Sequence, residues 1–541
     1  MSPKPIHAKH SGAERGAEGL DSILLIRLVV AAVILAVALL VGKLPVAVRV
    51  ILLLLSAVCA GYDVALEAVD AVVEGDYFAT PLLILFVAVI AFVIGYGGEA
   101  AALVLLYRIG LLAISFVEKR CRAWAMDLIR NEEEDTVNRM EEILKDEDAE
   151  KLGFAKTAQN SASLVLKVLM GAALVYAIVL PLISGFSFKV SIHRALMMLL
   201  ICIPTSVFAA MPLTALVGLA FSAKNRVLFR KAAAMERAAA TNLVYFDKAG
   251  VFAEEAPRVL SMQSDLLDKE TFVNFASHAA YYSEQPFAKA IAALNDQDFR
   301  LDVISDFEEV PGYGVTLKIA NSPVVLATKE YFDDRGVVVP AADDEGIVYY
   351  LMVANRYVGK IVLSSVVNGD VHGLVTGIHN IGISRTVLLT EDSAAESQQI
   401  ADELGIGEVY GECDLEKKLK LIRSANEGTR NNVLYVYANG IEAHSAADVD
   451  IRVSQKAKFA DASVLPEDMD YVPTALLVCR RMCEVAKENA LGAFIIKGIL
   501  LFLAMTGCAS IWFIGFMEIA ASIGTMLNAI RVTRDSLLNK R

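Results

Sequence analysis

Leu243-Val-Tyr-Phe-Asp247-Lys-Ala-Gly-Val251 decides how the rest of the chain is read. β-Favouring residues run straight into Asp247, Lys248 and a glycine, the pattern of a buried strand whose carboxyl end delivers a carboxylate into a loop. In an open α/β sheet, ligands sit beyond the carboxyl ends of the strands, so Asp247 stands where chemistry is done. Outward from this stretch, β-rich runs at 323–327, 348–353, 359–363, 386–389 and 433–437 alternate in part with helical patterns such as 393–404. That alternation predicts a parallel sheet covered by helices between residues 222 and 488.

The flanks are of another kind. The 541 residues are 56% hydrophobic, with a mean hydropathy of +0.50, which is too apolar for an ordinary soluble protein. Apolar runs of about 20 residues, the length that crosses a bilayer, fall near 22–42, 49–69, 79–97, 99–117, 163–185, 194–222, 488–508 and 510–530. Eight spans put both termini on one side. Lys119, Arg120, Arg122, Lys224, Arg226, Arg230, Lys231, Arg480, Arg481, Arg531 and Arg534 flank that side and mark it as cytoplasmic, with Lys43 and Arg49 as a minor exception.

The net charge of −13 excludes an extensive phosphate-binding surface, and so nucleic acid as a partner. Seven cysteines (59, 121, 202, 413, 479, 483, 508) are scattered. Only Cys479 and Cys483 are close, and at helical spacing near a membrane boundary they read as packing rather than a metal site. The polar stretch 1–20 lacks the apolar core of a signal peptide, and His7 and His10 on it read as incidental. The loop 118–162 carries Glu132-Glu-Glu-Asp-Thr-Val-Asn-Arg-Met-Glu-Glu142, a charge run of the kind found on solvated helical faces.

Further motifs follow in a fixed order. Cys202-Ile-Pro-Thr-Ser-Val-Phe-Ala-Ala-Met-Pro212 precedes Ala223-Lys-Asn-Arg-Val-Leu228, and Pro204 frees a backbone carbonyl one turn back. Ser283-Glu-Gln-Pro-Phe-Ala-Lys289, Pro311-Gly-Tyr-Gly-Val315, Thr390-Glu-Asp392, Asp414-Leu-Glu-Lys417, Ala438-Asn-Gly-Ile-Glu-Ala443 and Ala447-Asp-Val-Asp-Ile451 come after Asp247. Lys497 and Glu518 lie inside the last two spans, where a charge costs roughly 2.5–3.5 kcal/mol on insertion scales, so they are expected to face each other in the bundle interior. Taken together, these motifs resemble the heavy-metal-transporting P-type ATPases, zinc/cadmium/lead class, over residues 45–535.

The resemblance implies a mixed fold: a polytopic α-helical membrane domain of about eight spans, plus a cytoplasmic α/β haloacid dehalogenase-like phosphorylation domain with an inserted α+β nucleotide-binding domain. It divides the chain into a cytoplasmic tail (1–21), spans one to four (22–117), a short loop (118–162) and spans five and six (163–222). The phosphorylation domain (223–264 and 366–480) follows, with the nucleotide-binding domain (265–365) inserted, and then the last two spans with the C-terminal tail (481–541). Asp247 would be the nucleophile that takes the γ-phosphate of ATP, with Lys248, Thr390, Asp392 and Lys417 around the transferring group. Glu284, Gln285, Gly312 and Gly314 would hold nucleotide, Asp247 and Asn439 would face Mg²⁺, and Cys202, Glu99, Lys497 and Glu518 would line the path of a transported cation such as Zn²⁺. Arg108 has no counterpart.

Departures from the family pattern are as informative. Asp127–Glu150 leads directly to Lys156-Thr-Ala-Gln159, leaving no room for the actuator domain, and no Thr-Gly-Glu occurs in the chain. Ala249 and Val251 replace two threonines, Asn439 and Ala443 replace two aspartates, Gln285 replaces a histidine, and Ile203 and Thr205 replace the two cysteines of Cys-Pro-Cys. Each lost polar contact in such a site is worth on the order of 3–4 kcal/mol of barrier. The expectation is therefore a plasma-membrane protein on a P-type ATPase framework with a weakened site for ATP and Mg²⁺. It would act as a nucleotide- or cation-binding pseudo-pump through a membrane or actuator-like partner. A divergent active cation pump and a non-catalytic membrane scaffold are the alternatives.

Overall fold

The computed structural model describes the chain apart from residues 1–13, 42, 43, 78, 131–133, 147, 186, 203–209, 253–258, 265, 284, 296–298, 300, 311, 312, 341–346, 364–370, 392, 393, 427–430, 439–445, 455–459 and 535–541. It divides into two units: Met1–Lys224, Lys231–Glu236 and Val478–Arg541 form one, Asn225–Arg230 and Arg237–Leu477 the other.

The first unit is helical. Ile23–Leu40, Val46–Val73, Gly97–Asp127, Pro466–Thr506 (from Val478 on in this unit) and Ile511–Thr533 are each long and apolar enough to cross a membrane, and Thr80–Val93, Val168–Ile183 and Ala210–Lys224 are shorter apolar helices. The expected span at 194–222 is divided between helices Phe188–Ile201 and Ala210–Lys224, and the prolyl segment between them, Cys202 excepted, lies outside the described residues. Several helices outrun their apolar stretches. Gly97–Asp127 continues ten residues past the expected end at 117, where Arg122 holds Glu118 one turn back at 3.1 Å and clamps Glu150 at 2.6 and 2.7 Å.

Small residues set the helix spacing in this unit. Ala31, Ala38, Ala60, Ala91, Ala100 and Ala101 sit fully buried at the contacts, and a Cβ on Gly110 would run into the Ile519 side chain. In a bilayer, where lipid is as apolar as leucine, close backbone approach is what drives helices together. Ser56 adds a hydrogen bond across helices, its Oγ donating to the Ala31 carbonyl at 2.8 Å.

The second unit is α/β. Its described strands are β1 (Leu228–Phe229), β2 (Leu243–Asp247), β3 (Val259–Ser264), β4 (Ile304–Val310), β5 (Gly314–Ile319), β6 (Ser322–Ala327), β7 (Ile347–Val353), β8 (Arg356–Leu363), β9 (Arg385–Leu389), β10 (Glu408–Tyr410), β11 (Val433–Tyr437), β12 (Val449–Val453) and β13 (Ala462–Val464). One sheet runs β1-β13-β12-β11-β2-β9-β10, parallel throughout except for β1 on β13. The central strands β2 and β11 are buried at every residue, which is why they read as continuous apolar runs.

The other sheet runs β3-β8-β7-β6-β5-β4 and is antiparallel. The parallel sheet expected from the alternation thus forms one part of this unit, and the antiparallel sheet the other, in keeping with the α+β insertion that the resemblance implies. Helices Lys269–Ala280 and Pro286–Ala292 cover the antiparallel sheet through Phe272, Ala276, Phe287 and Ile291. Strand β3 pairs with β8 in this sheet, whereas the sequence grouped 259–264 with the first segment of the phosphorylation domain.

Candidate functional site

Strand β2 lies between β11 and β9 in the parallel sheet. From β2 the chain later returns to one side as β9 and β10 and to the other as β11 to β13, so the carboxyl end of β2 is the point where strand order reverses. Asp247 is the last residue of that strand.

Its carboxylate is fully engaged. Lys418 Nζ donates to Oδ1 at 3.0 Å and to Oδ2 at 3.2 Å, and the Tyr435 hydroxyl donates to Oδ2 at 3.1 Å. The Ala249 backbone N–H donates as well. The lysine and aspartate side chains are only 3% and 7% exposed. Burial pushes Asp247 above the usual carboxylate range, against the pull of Lys418 and Tyr435. Burial draws Lys418 down, but the charges of Asp247 and then Glu391 outweigh it and its net shift is upward. A single Lys–Asp pair with its remaining valences filled is the arrangement a low-dielectric interior tolerates.

Tyr435 and Tyr437 point to the same face of β11 and stack with ring centroids 5.0 Å apart and planes 8° apart. The Tyr437 hydroxyl donates to the buried Asp450 Oδ2 at 2.9 Å, and the Asp461 N–H donates to Asp450 Oδ1 at 3.2 Å. Polar side chains thus line one covered face of the sheet beside the carboxyl ends of its central strands.

The lysine at this site is one residue from the expected position. Lys417 is turned outward, its Nζ donating to the carbonyls of Gly411 and Glu412 at 3.2 and 3.1 Å and its N–H to the capping Asp414 side chain at 2.8 Å. In helix Leu415–Asn426, Lys418, Leu419 and Ile422 share the buried stripe. Helical phase carries the lysine into the site, and the i, i+1, i+4 pattern of 418, 419 and 422 was the available signal.

The other expected residues are placed as follows. Lys248 Nζ donates to Ser397 Oγ at 3.4 Å. Thr390 is buried, its N–H donating to the Tyr410 carbonyl and its own carbonyl accepting from Cys413 N–H. Asp392, Asn439, Glu284 and Gly312 lie outside the described residues. Gln285 caps the N-terminus of helix Pro286–Ala292, and its backbone N–H donates to Ser283 Oγ at 3.2 Å. Gly314 has φ +150° and lies against β6, where a Cβ would strike the Leu326 carbonyl and come within 2.7 Å of Ala327 Cα. This close strand approach demands glycine with or without a ligand.

Mg²⁺ needs several oxygen ligands, carboxylates among them. Asp247 already faces an ammonium at 3.0 Å, which repels a second cation, and position 439 is asparagine. Of the two residues expected to face this ion, only Asp247 lies among the described residues. Among the described residues no group of three or more His, Cys, Asp or Glu side chains is placed to hold a metal.

In the helical unit, Lys497 Nζ meets Glu518 Oε2 at 2.7 Å and donates to the Ile201 carbonyl at 3.0 Å. The buried Cys202 follows directly, its Sγ donating to the Met198 carbonyl at 3.1 Å. These three expected residues therefore gather in one place. Glu99 belongs to a different cluster: its Oε2 is 3.0 Å from His193 Nε2 and accepts the Ile511 N–H at 2.9 Å, and His193 stacks on Tyr96 at 3.9 Å. Arg108 finds its partners in Asp63 at 2.9 Å and Glu67 at 3.3 Å, while Arg27 reaches the other Asp63 oxygen at 3.2 Å. Lys418, Tyr435, Glu391, His193 and Asp63 were not singled out from sequence, since each acts through a neighbour distant in the chain.

Residues 241–436 match the haloacid dehalogenase-like hydrolase family. The chain is 22% identical over 420 residues to the cadmium, zinc and cobalt-transporting ATPase of Bacillus subtilis (strain 168), covering 76% of this chain and 60% of that protein. It is 23% identical over 411 residues to the zinc-transporting ATPase of Synechocystis sp., covering 74% and 57%. It thus spans less than two thirds of the length of these relatives. A zinc-transporting PIB-type ATPase solved in an E2.Pi state superposes with a TM-score of 0.60 at 19% identity, over 94% of this chain and 100% of that one, a likeness of fold. With a haloacid dehalogenase-like match over the segment carrying Asp247 and apolar helices carrying Lys497 and Glu518, the chain is similar in sequence to these cation-transporting ATPases and shares the fold of a zinc-transporting PIB-type ATPase.

Proposed function

We propose that the chain is a catalytically impaired relative of the cation-transporting P-type ATPases. It sits in the plasma membrane as a multi-pass protein with both termini cytoplasmic, binds nucleotide or a divalent cation, and acts through a membrane or actuator-like partner instead of pumping alone. The observation that carries this reading is the closed state of Asp247, with both oxygens hydrogen-bonded to Lys418 and Tyr435. A nucleophile needs a free lone pair aimed at phosphorus, and here the donors and the burial hold the carboxylate back. Asn439 removes a carboxylate that a phosphoryl-transfer metal would use. Between helices Gly97–Asp127 and Gly153–Ser184 the described residues form only the helix Glu134–Leu144, which favours a separate chain as the source of any actuator function.

A second reading, a divergent active pump, draws support from the intact Asp247–Lys418 and Lys497–Glu518 pairs. Acid-stable labelling of the purified protein from γ-labelled ATP and Mg²⁺, with and without Zn²⁺, separates the two. The proposal expects no label above an Asp247→Asn control. Label present on the wild type and lost in the control would overturn it.

A further inference from the structure

The stretch between helices Gly97–Asp127 and Gly153–Ser184 is packed, not loose. Ile129, Met140 and Ala149 are fully buried and Leu152 nearly so. From here the segment reaches residues 231–236, which belong to the same helical unit. The Ala149 carbonyl accepts the Ala232 N–H at 2.7 Å, Lys231 Nζ lies 3.4 Å from Asp146 Oδ2, and a Cβ on Gly153 would stand 3.1 Å from Glu236 Oε2. Ala232 opens helix Ala232–Ala239. The first N–H groups of a helix have no partner within it, so the Ala149 carbonyl does for this helix what a capping side chain does elsewhere.

One ion pair holds this segment down. Arg122 clamps Glu150, the neighbour of Ala149, through both terminal nitrogens at 2.6 and 2.7 Å. A bidentate guanidinium–carboxylate pair is a strong, directional contact. The two side chains are nevertheless 36% and 17% exposed, open enough for salt to reach them. The Lys231–Asp146 pair is about half exposed at both ends and adds little. Residues 231–236 also mark the place where the chain leaves the helical unit, since Arg237–Leu477 belongs to the other. We propose that Asp146 and residues 148–153 form a strap over this crossing point, with Arg122–Glu150 as its releasable latch. Closed, the strap caps helix Ala232–Ala239 and fixes its first turn. Open, it frees that turn, and the few residues at the end of an element are where hinge motion is absorbed. Control of the crossing is therefore electrostatic, and whatever screens or competes for Arg122 releases it. The inference stands whether or not Asp247 reacts.

Hydrogen–deuterium exchange of the full-length protein in detergent tests it, read by mass spectrometry on peptides covering residues 231–239. Glu150→Gln and Arg122→Gln are each expected to speed exchange there roughly five- to thirtyfold. Glu118→Gln removes the other carboxylate on Arg122, one turn back in the same helix, and is expected to leave the rate unchanged. Raising sodium chloride from about 0.05 to about 0.5 M should speed exchange in the wild type and have little further effect in either latch variant. Unchanged exchange in both latch variants overturns the proposal. So does acceleration spread evenly over the helical unit, which would make the pair a general support. The salt response of the wild type needs no variant to fold, and a rate at 231–239 that ignores salt overturns the releasable latch by itself.

Discussion

Each unit of the molecule buries one lysine against one carboxylate, and the two pairs are built to different ends. Lys497–Glu518 closes at 2.7 Å, with the third contact of the ammonium going to the backbone carbonyl of Ile201. Lys418–Asp247 closes at 3.0 Å, with the third contact going to the exposed side chain of Glu391. A backbone carbonyl within a packed helix bundle stays where it is, whereas a glutamate on the surface swings away in nanoseconds. The membrane pair is consequently a fixed joint, and the cytoplasmic pair keeps one exchangeable valence.

The largest effects are expected from breaking the pairs. Lys418→Met strands a buried carboxylate, so the cytoplasmic unit should lose about 3–5 kcal/mol of stability, whereas Lys418→Met with Asp247→Leu should recover most of it. Thermal unfolding followed by tryptic digestion reads both, and a single variant as stable as wild type would show that Asp247 is supported without its lysine. Lys497→Met should cost somewhat less, roughly 2.5–3.5 kcal/mol, with recovery when Glu518 becomes Leu. If the membrane variant proved the weaker of the two, the fixed-joint view would be reversed.

The cytoplasmic pair was only half legible in the sequence, whereas the membrane pair was fully so. Within the last two spans Lys497 and Glu518 are the charges away from the ends, so hydrophobic burial left them one place to go, whereas Arg27, Asp63, Glu67 and Arg108 in the earlier spans allowed several pairings. In helix Leu415–Asn426 three lysines and an arginine stand among the apolar residues, and choosing among neighbours needs the helical phase, which Leu419 and Ile422 disclose only once their burial is known. The parallel strands announced themselves as unbroken apolar runs. Strand β4, Ile304-Ser-Asp-Phe-Glu-Glu-Val310, did not, because its acidic residues are accommodated by partial exposure in the antiparallel sheet.

A smaller effect should appear with pH. Folding raises Lys418 above its ordinary value of 10.5 through its carboxylate neighbours, although burial opposes this. Its stabilisation is therefore complete below 10.5 and is lost as pH climbs through the folded value. Asp247 is also raised, so the cost of its charge develops as pH climbs from its ordinary 3.8 through the folded value. The gap in unfolding temperature between wild type and Lys418→Met should accordingly be wide at neutral pH and narrow above 10.5. A gap that stays constant there would mean that packing, not charge, makes Lys418 matter.

Smallest is the effect of Tyr435→Phe, which removes one donor to a charged acceptor and should cost about 1.5–3 kcal/mol at most. Denaturant titration measures it. A cost as large as that of Lys418→Met would make the tyrosine, not the lysine, the main support of Asp247.

Asp63 stands between two arginines from two other helices, Arg27 and Arg108. Such sharing makes the three positions unequal in evolutionary drift. Arg27 can be exchanged for an apolar residue while Arg108 still covers the carboxylate, whereas losing Asp63 first would leave Arg27 with only the Cys59 carbonyl and Arg108 with only the more exposed Glu67. Descendants of this chain should therefore shed the arginines before the aspartate, and the order of those replacements along lineages would record which helix contact was relaxed first.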